Sequence, residues 1–407
     1  MRGGERETMA ERIGIVGAGI VGLAIAQALS RTGDFDVTVL EKESRVAMHQ
    51  TGHNSGVVHA GLYYQPGSLK AELCAKGRAM TREYCQEHSL PYREAGKLVV
   101  ALNAEEVPRL DEIQRRSVLN AVPDLARVSM ARLREIEPHA AGVAALHSPH
   151  TAVVDYAAIA ETMANQVRRA GGRVLLNQQV QAVESSAGSC RVSTSGTTHV
   201  FDRLVVCAGL HSDAIARLVG ASDSPRILPF RGEYWSLAPE RNDLVKGMIY
   251  PVPDPAFPFL GVHFTRGVYG ETHVGPNAVP ALAREGYSWG RISVRDTFES
   301  LRWPGAGALA KAHWKMGGKE IAASLFKPLY FKAAQAFIPE LLPSDLRHKT
   351  TAGVRAQAWS KDGSLLDDFA VDQVGPVTLL RNAPSPAATS AMAIAEHVLA
   401  NHLGIRP

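Results

Sequence analysis

The stretch that decides the fold is Ile13–Glu41, IGIVGAGIVGLAIAQALSRTGDFDVTVLE. A short apolar run is followed by the glycine-rich turn GAGIVG, a run of good helix formers, and a second apolar run that ends at an acid. A short apolar run bounded by glycine predicts a buried strand. The stretch therefore predicts strand, turn, helix, strand and acid in one unit, which is typical of a dinucleotide-binding site.

Each part of this unit has a chemical reason. Gly17 permits the tight turn, Gly19 lets backbone N–H groups approach a pyrophosphate, and Gly22 lets the helix lie close to the strand. The N-terminus of the helix presents a positive dipole to the phosphates. Glu41 is placed to accept hydrogen bonds from ribose hydroxyls, and its carboxylate would repel a 2′-phosphate. The unit therefore favours FAD or NAD over NADP.

The residues after the acid favour FAD over NAD. They form a polar, glycine-rich segment that continues to Gly61, and a flavin enzyme lays chain of this kind along its cofactor toward the ring. We therefore expect this segment to contribute the cofactor contacts Lys42, His53, Asn54 and Ser55.

Two later segments repeat the alternation of helix and strand. Residues 154–177 predict an amphipathic helix, a glycine stop and a strand, after which Val180 is expected beside an adenine. Residues 203–207 predict another strand, which ends at the small residues Ala208 and Gly209 and leads into a helix. Both segments are expected to complete a Rossmann-like domain around the cofactor.

Composition excludes several other classes of protein. The 407 residues carry a formal net charge of +4, and no run of five like charges occurs, so we expect no nucleic-acid partner. The cysteines are widely spaced without a CxxC pair, which argues against a structural zinc site, an iron–sulfur cluster and a disulfide framework, and favours a cytoplasmic location. No metal site is expected. No apolar stretch reaches the length of a membrane-spanning helix, so only peripheral contact with the inner face of the cell membrane is expected.

The chain resembles the FAD-dependent superfamily of amino-acid oxidases and glycerol-3-phosphate dehydrogenases, and within it the L-2-hydroxyglutarate dehydrogenase/oxidase family. The match runs in order along nearly the whole chain. Its motifs are HNSGVVHAGLYYQPGSLKAELCAKG (His53–Gly77), PFRGEYW (Pro229–Trp235), IYPVPDPAFPFLGVHFTR (Ile249–Arg266), GPNAV (Gly275–Val279), GVRAQ (Gly353–Gln357) and NAPSPAATSAMAIAEHV (Asn382–Val398). This resemblance implies FAD-dependent oxidation of L-2-hydroxyglutarate to 2-oxoglutarate by hydride transfer to flavin N5.

The expected fold class is α/β, with a Rossmann-like FAD-binding domain interleaved with a substrate domain built on a mixed or antiparallel sheet with helices. The predicted FAD-binding domain comprises residues 1–93, 150–224 and 346–407. The substrate domain comprises residues 94–149 and 225–345, with helical stretches predicted at 105–137 and 289–343. The proline-dense stretch 250–258 is predicted to be a rigid loop rather than a central strand.

Oxidation of a hydroxyl next to a carboxylate requires a base for the hydroxyl proton, and histidine suits that role near neutral pH. His263 and His59 are the two candidates on matched motifs, and the resemblance also places Tyr64 near the flavin ring. His263 lies in an alternating segment that is expected to direct it and Thr265 to one face of a strand. His53 is a third candidate, with covalent attachment to the flavin as an additional possibility.

A substrate carboxylate requires a cation, and arginine binds both of its oxygens. The resemblance makes Arg355 the first choice, with Arg231 and Arg266 as second choices and Asn277 as a further substrate contact. The resemblance also places the helix N-terminus after Ser385 and Ala387 at the flavin, where its dipole would favour negative charge on the reduced ring.

Two alternatives remain open from the sequence. The chain could be an amine or amino-acid oxidase of the same fold, or a flavin-binding subunit that holds FAD without turning over a substrate. If the substrate is the dicarboxylate L-2-hydroxyglutarate, the electron acceptor also stays open among oxygen, a quinone and a carrier protein.

Overall fold

The computed structural model describes residues 10–186, 188–254 and 260–406. Its strands are β1 (Glu11–Val16), β2 (Phe35–Leu40), β3 (Val57–Val58), β4 (Tyr92–Glu94), β5 (Lys97–Ala101), β6 (Ala126–Val128), β7 (Ala144–Ser148), β8 (Ala152–Val154), β9 (Arg173–Leu175), β10 (Val180–Ser186), β11 (Ser189–Thr194), β12 (Thr198–Phe201), β13 (Arg203–Val206), β14 (Arg226–Gly232), β15 (Trp235–Leu237), β16 (Met248–Pro251), β17 (Phe264–Arg266), β18 (Thr272–Val274), β19 (Val279–Pro280), β20 (Leu346–Lys349), β21 (Gly353–Trp359), β22 (Ala370–Val374) and β23 (Val377–Asn382).

The α-helices are α1 (Ile20–Thr32), α2 (Leu69–Glu87), α3 (Val107–Leu119), α4 (Met130–Ile136), α5 (Tyr156–Arg169), α6 (Ser212–Leu218), α7 (Val294–Leu301), α8 (Ala306–Leu325), α9 (Lys327–Gln335) and α10 (Ala391–Val398). Within the described ranges, no helix combines the length and the apolar composition needed to cross a bilayer.

A six-stranded sheet forms the first half of the architecture, in the order β22-β23-β13-β1-β2-β9. All neighbours in it are parallel except β22, which runs antiparallel at one edge. The last four residues of both β1 and β2 are buried, as their apolar sequences require. This sheet confirms the Rossmann-like arrangement predicted from Ile13–Glu41.

Helices α1, α5 and α10 cover the apolar core on this sheet. α1 is buried along most of its length and ends at Gly33, whose φ of 76° is the left-handed conformation that glycine adopts at low cost. α5 begins at Asp155, whose side chain accepts hydrogen bonds from the backbone N–H groups of Ala157 and Ala158. The helix predicted over this stretch is thereby confirmed.

An eight-stranded mixed sheet forms the second half, in the order β20-β15-β18-β17-β16-β5-β7-β6. β16 is parallel to β5 and antiparallel to β17, so it is a central strand. The prediction that the stretch 250–258 is a loop rather than a central strand was therefore wrong for Tyr250 and Pro251. Proline is tolerated there because Pro251 is the last residue of the strand. Of the rest of the predicted loop, residues 252–254 lie in neither a strand nor a helix, and residues 255–258 lie outside the described residues.

The division of the chain into domains differs from the prediction near residue 346. β20 pairs with β15, and β21 pairs with β14 from Arg226↔Trp359 to Gly232↔Gly353. Both strands therefore belong with the substrate-side sheets, although the predicted FAD-binding segment, residues 346–407, includes them. The sequence did not show this boundary, because the two halves are interleaved along the chain and a strand's sequence does not reveal which strand it pairs with. The two predicted helical stretches contain α3 and α4, and α7 to α9, respectively.

Candidate active site

A cavity of about 950 Å³ extends from the carboxyl ends of β1 and β2 to the face of the eight-stranded sheet. A ligand site at the carboxyl ends of parallel strands is the usual location in such folds. The cavity is lined by every predicted cofactor contact: Gly17, Gly19, Gly22, Glu41, Lys42, His53, Asn54, Ser55, Val180, Ala208, Gly209, Ser385 and Ala387. The predicted catalytic residues His59, Tyr64, His263 and Arg355 line it as well.

The glycine turn has no room for side chains at two positions. A Cβ on Gly17, whose φ is +104°, would lie 2.5 Å from the carbonyl oxygen of Cys207. A Cβ on Gly22 would lie 2.1 Å from the carbonyl oxygen of Gly17. α1 begins at Gly19, which has no side chain to cap the helix. The turn therefore leaves backbone approachable at the N-terminus of α1, as a pyrophosphate requires.

Glu41 holds the turn as well as facing the cavity. Its Oε2 accepts a hydrogen bond from the backbone N–H of Ala18 at 2.7 Å, and its Oε1 accepts one from Glu43 at 2.9 Å. A carboxylate has about four acceptor positions, so two remain for ribose hydroxyls. The elongated cavity, the glycine turn and this buried acid together fit FAD.

A charged network closes one side of the cavity. No local sequence pattern predicts it, because its partners are distant in the chain. Lys42 Nζ donates to Glu43 and, at 2.5 Å, to Glu285. His211 Nε2 lies 3.0 Å from the same oxygen of Glu285, and these bonds hold the pKa of Glu285 well below its usual range. Glu43, His49 and Glu285 present potential metal-ligand atoms within 4.8 Å of one another, but the Lys42 ammonium bonds both carboxylates.

Two histidines lie at the other end of the cavity, which we call the inner end and define by His59, Tyr250, His263 and Arg355. His263 is 4% exposed and its ring lies 3.9 Å from that of Tyr250. Burial lowers the pKa of His263 to about 3, and the charge of Arg355 acts in the same direction. Burial likewise lowers the pKa of His59 well below its ordinary value. Both imidazoles are therefore neutral at pH 7.

The tautomer of His263 follows from one hydrogen bond. Its Nδ1 lies 2.8 Å from the carbonyl oxygen of Gly261. A carbonyl oxygen only accepts, so Nδ1 carries the proton and Nε2 retains a free lone pair. The arrangement provides a neutral base with one nitrogen fixed and the other able to take a proton.

The cations and phenols of the inner end come from separate elements. Arg355 lies on β21 and is hydrogen-bonded to the side chain of Tyr234. Lys70 donates to the carbonyl and carboxylate oxygens of Asp367 and lies 5.2 Å from the ring centroid of Tyr64. Burial raises the pKa of Tyr64 well above its ordinary value, so its hydroxyl stays protonated.

Three predicted substrate contacts lie away from the cavity lining. Arg231 is 1% exposed, with Nη2 3.3 Å from Glu233, and Asn277 accepts a hydrogen bond from the backbone N–H of the same glutamate. Arg266 pairs with Asp243 at 3.1 Å. These residues contact other parts of the protein, so the cavity lining gives their predicted role in substrate binding no support. A motif's sequence does not show which side of a strand faces a cavity.

Two residues were not predicted from the sequence: Tyr250, which lines the cavity, and Lys97, which contacts Tyr250 from behind it. Lys97 is 1% exposed, and its Nζ lies 4.1 Å from the ring centroid of Tyr250. A lysine at the start of the apolar run KLVVA was an available signal, because lysine is rarely buried without a reason. Tyr250 was not predicted as a cavity residue, because the prolines that follow it indicated a rigid loop.

Comparison with known proteins places the chain among flavoproteins. The family model described as FAD dependent oxidoreductase matches residues 12–400. The chain is 45% identical to the mitochondrial L-2-hydroxyglutarate dehydrogenase of Caenorhabditis elegans, over 94% of this chain and 91% of the relative. It is 44% identical to the L-2-hydroxyglutarate dehydrogenase of Indibacter alkaliphilus, over 93% and 96%. Among solved structures, the FAD-bound L-alpha-glycerophosphate oxidase of Mycoplasma pneumoniae is similar in fold, with a TM-score of 0.78, 21% identity, and coverage of 96% and 94%.

The first prediction concerns Glu41→Gln. The amide would turn an NH2 group toward one of the two backbone N–H donors, so it should disturb both the turn and the sugar contact. We expect the dissociation constant of FAD to rise roughly 10- to 100-fold, equivalent to ~1.4–2.8 kcal/mol. Quenching of flavin fluorescence on titration into apoprotein measures it. Glu184→Gln, on the exposed face of β10, is the control, and equal affinity in both variants would refute the role given to Glu41.

Proposed function

The chain belongs to the FAD-dependent oxidoreductases and, within them, to the L-2-hydroxyglutarate dehydrogenase family, and from this membership we propose that it oxidises L-2-hydroxyglutarate to 2-oxoglutarate. The observation that carries the proposal is the inner end of the cavity, where the neutral His263, just before β17, and Arg355, on β21, line one space. An alcohol flanked by a carboxylate needs those two groups, a proton acceptor and a cation.

The proposed roles follow from the contacts. Arg355 binds the carboxylate next to the hydroxyl, and Tyr234 fixes the guanidinium by its hydrogen bond. His263 accepts the hydroxyl proton at Nε2, because Nδ1 is occupied by Gly261. As the carbon–hydrogen bond breaks, its two electrons leave with the hydride and the carbon becomes a ketone. Bound FAD supplies the acceptor for that hydride.

His59 is the second candidate for the base. It also lines the cavity and is also neutral, but no carbonyl fixes either of its ring nitrogens among the described contacts. The defined tautomer of His263 therefore favours His263. Covalent attachment of flavin at His53 stays a prediction, with its Nδ1 3.0 Å from the carbonyl oxygen of His49.

The alternatives from the sequence are less well supported. An inert flavin-binding subunit would have no need for a neutral histidine and an arginine at the inner end. An amine oxidase would bind a substrate that carries an ammonium group, and the charges of Arg355 and Lys97 disfavour binding of a cation at the inner end. The positive surroundings suit an anionic substrate better.

We propose further that the protein binds an anionic membrane surface through its helical segment 291–332. Nine of the sixteen exposed large apolar side chains of the described residues lie between 292 and 329. The segment carries eight lysines and arginines against three acids. Apolar side chains interspersed with basic ones are typical of helices that lie in a membrane interface. Such contact would suit a quinone as electron acceptor.

The location in the cell stays a prediction. The four free cysteines are compatible with the reducing cytoplasm that the sequence predicts. The relative from Caenorhabditis elegans is named as a mitochondrial protein, so it does not support the predicted cytoplasmic location. Membrane contact is compatible with either compartment.

The second prediction tests the substrate. Under anaerobic conditions, L-2-hydroxyglutarate should bleach the flavin absorbance, because the bound carboxylate presents one face of the carbon to the flavin. D-2-Hydroxyglutarate should bleach it at least roughly 100-fold more slowly, since the wrong enantiomer directs its hydrogen elsewhere. L-Glutamate, with an ammonium in place of the hydroxyl, is the matched test of the amine-oxidase alternative. Reduction by L-glutamate alone, or equal rates with both enantiomers, would reject the assignment.

The third prediction concerns Arg355→Met in the holoenzyme. Loss of the cation leaves the substrate carboxylate unpaired, at a cost of roughly 3–5 kcal/mol, or roughly 100- to 5000-fold in kcat/KM. Rapid-mixing measurements of flavin reduction provide the rates, and FAD should remain bound. Arg266→Met is the matched control, because Arg266 pairs with Asp243 outside the cavity lining.

A histidine variant distinguishes the role of proton acceptor from the role of binding the substrate carboxylate. His263→Gln should slow reduction in a way that higher pH partly restores, because hydroxide replaces the missing base, whereas Arg355→Met should show no such recovery. Near-normal kcat/KM in Arg355→Met would show that another group anchors the carboxylate.

The fourth prediction tests membrane contact. The wild-type protein should sediment with vesicles containing phosphatidylglycerol and remain in solution with phosphatidylcholine alone. Replacing the exposed Leu325, Phe326 and Leu329 by serine should weaken this partition roughly tenfold or more, because each side chain loses apolar burial. The control replaces the comparably exposed Val118, Leu119 and Val143. If both triple variants bind vesicles as the wild type does, segment 291–332 is not the contact surface.

A further inference from the structure

Lys97 is a buried lysine on an inner strand of the eight-stranded sheet. It is the first residue of β5, a strand that is buried along its whole length and lies between β16 and β7. Only 1% of the residue is exposed. Because transfer of an ammonium from water into a protein interior is costly, a buried lysine is expected to have a partner or a function.

Its ammonium lies directly behind the wall of the cavity. Lys97 Nζ is 4.1 Å from the ring centroid of Tyr250 and 5.8 Å from that of Tyr63, and both rings line the cavity. The Tyr250 ring in turn lies 3.9 Å from the ring of His263. One aromatic layer therefore separates this positive charge from the inner end.

The other buried cations of the described residues have carboxylate partners. Lys70 pairs with Asp367 at 2.8 Å, Arg284 with Asp213 at 2.6 Å, and Arg381 with Asp372 at 2.7 Å. No such ion pair is found for Lys97 within residues 10–186, 188–254 and 260–406. Among the described residues, the thiol of Cys74 also acts on Lys97, but burial raises the pKa of that thiol to about 12, so it is uncharged at neutral pH and gives the ammonium no counter-charge.

We propose that Lys97 is a positioning residue that acts through Tyr250 and Tyr63, supplying the positive charge that compensates the second carboxylate of a dicarboxylate substrate. This proposal rests on the proposed function and deepens it. Arg355 binds one carboxylate directly, and the tyrosine wall receives the other. The phenol rings exclude water between the ammonium and the cavity, so its field is screened less than it would be at a surface.

A pH dependence follows from this arrangement. Burial lowers the pKa of Lys97 to about 7, so part of the population is neutral at that pH. A bound dianion stabilises the ammonium and raises its pKa, so binding takes up a proton. The affinity for the dianion is therefore full below the pKa of Lys97 in the free protein, about 7. The gain in affinity is lost as pH rises through the higher pKa of Lys97 in the complex. The ionisable groups that surround the ammonium or interact with it are Tyr63, Cys74, Tyr250, His59 and His263.

The fifth prediction compares two ligands that the holoenzyme cannot oxidise. 2-Oxoglutarate carries two carboxylates, and 2-oxopentanoate is a chain of the same length with one. Calorimetric titration gives both dissociation constants. Lys97→Met should weaken 2-oxoglutarate roughly tenfold and leave 2-oxopentanoate within about threefold, because only the second charge is lost. Lys97→Arg should retain the preference for the dianion, and the exposed Lys246→Met should match the wild type.

Proton uptake gives a second measurement that needs no folding comparison. Binding of 2-oxoglutarate to the wild type at pH 7.5, measured in buffers of different ionisation enthalpy, should take up part of one proton. Lys97→Arg should take up none, because arginine stays protonated. Absence of uptake in the wild type, or equal weakening of both ligands in Lys97→Met, would overturn the proposal. Normal selectivity without flavin reduction by L-2-hydroxyglutarate would instead refute the proposed reaction and leave the role of Lys97 standing.

Discussion

Desolvation at the inner end of the cavity is the constraint on which the site depends. Burial lowers the pKa of His59 and His263, so both rings are neutral and one can accept a proton. The same burial lowers the pKa of Lys97 to about 7, so its ammonium form is the one that a bound anion stabilises, and the charge of Arg355 acts on the same region. Burial therefore produces a base at neutral pH and a lysine whose charge responds to an anionic ligand.

The fold produces this environment by bringing two sheets together around one cavity. The six-stranded sheet supplies the glycine turn and Glu41 at its carboxyl edge, where a dinucleotide fits. The eight-stranded sheet supplies Tyr250, with Lys97 behind it, and β21 supplies Arg355. Because each charged group is held by a different strand, the spacing at the inner end is set by strand pairing rather than by any local loop.

The sequence was sufficient to predict parts of the site whose residues lie close together in the chain. It was insufficient for parts that depend on contacts between distant strands and loops. The unit from β1 to Glu41 could be predicted, because a glycine turn and its acid lie within thirty residues, and every residue predicted to bind the cofactor lines the cavity. Arg231 and Asn277 were predicted to bind substrate, and in the structure both contact Glu233 and neither is in the cavity lining. Glu285 reaches Lys42 across more than two hundred residues, so no local pattern could reveal that contact.

The central claim is that the inner-end histidines are neutral at pH values where free histidine is charged. Long-range 1H–15N spectra of the FAD-bound protein, labelled at histidine and recorded at pH 5.5, test it directly. His59→Gln and His263→Gln assign the two signals. The account predicts one protonated and one unprotonated nitrogen in each ring, while exposed histidines are largely protonated. Two protonated nitrogens in both rings at that pH would contradict it.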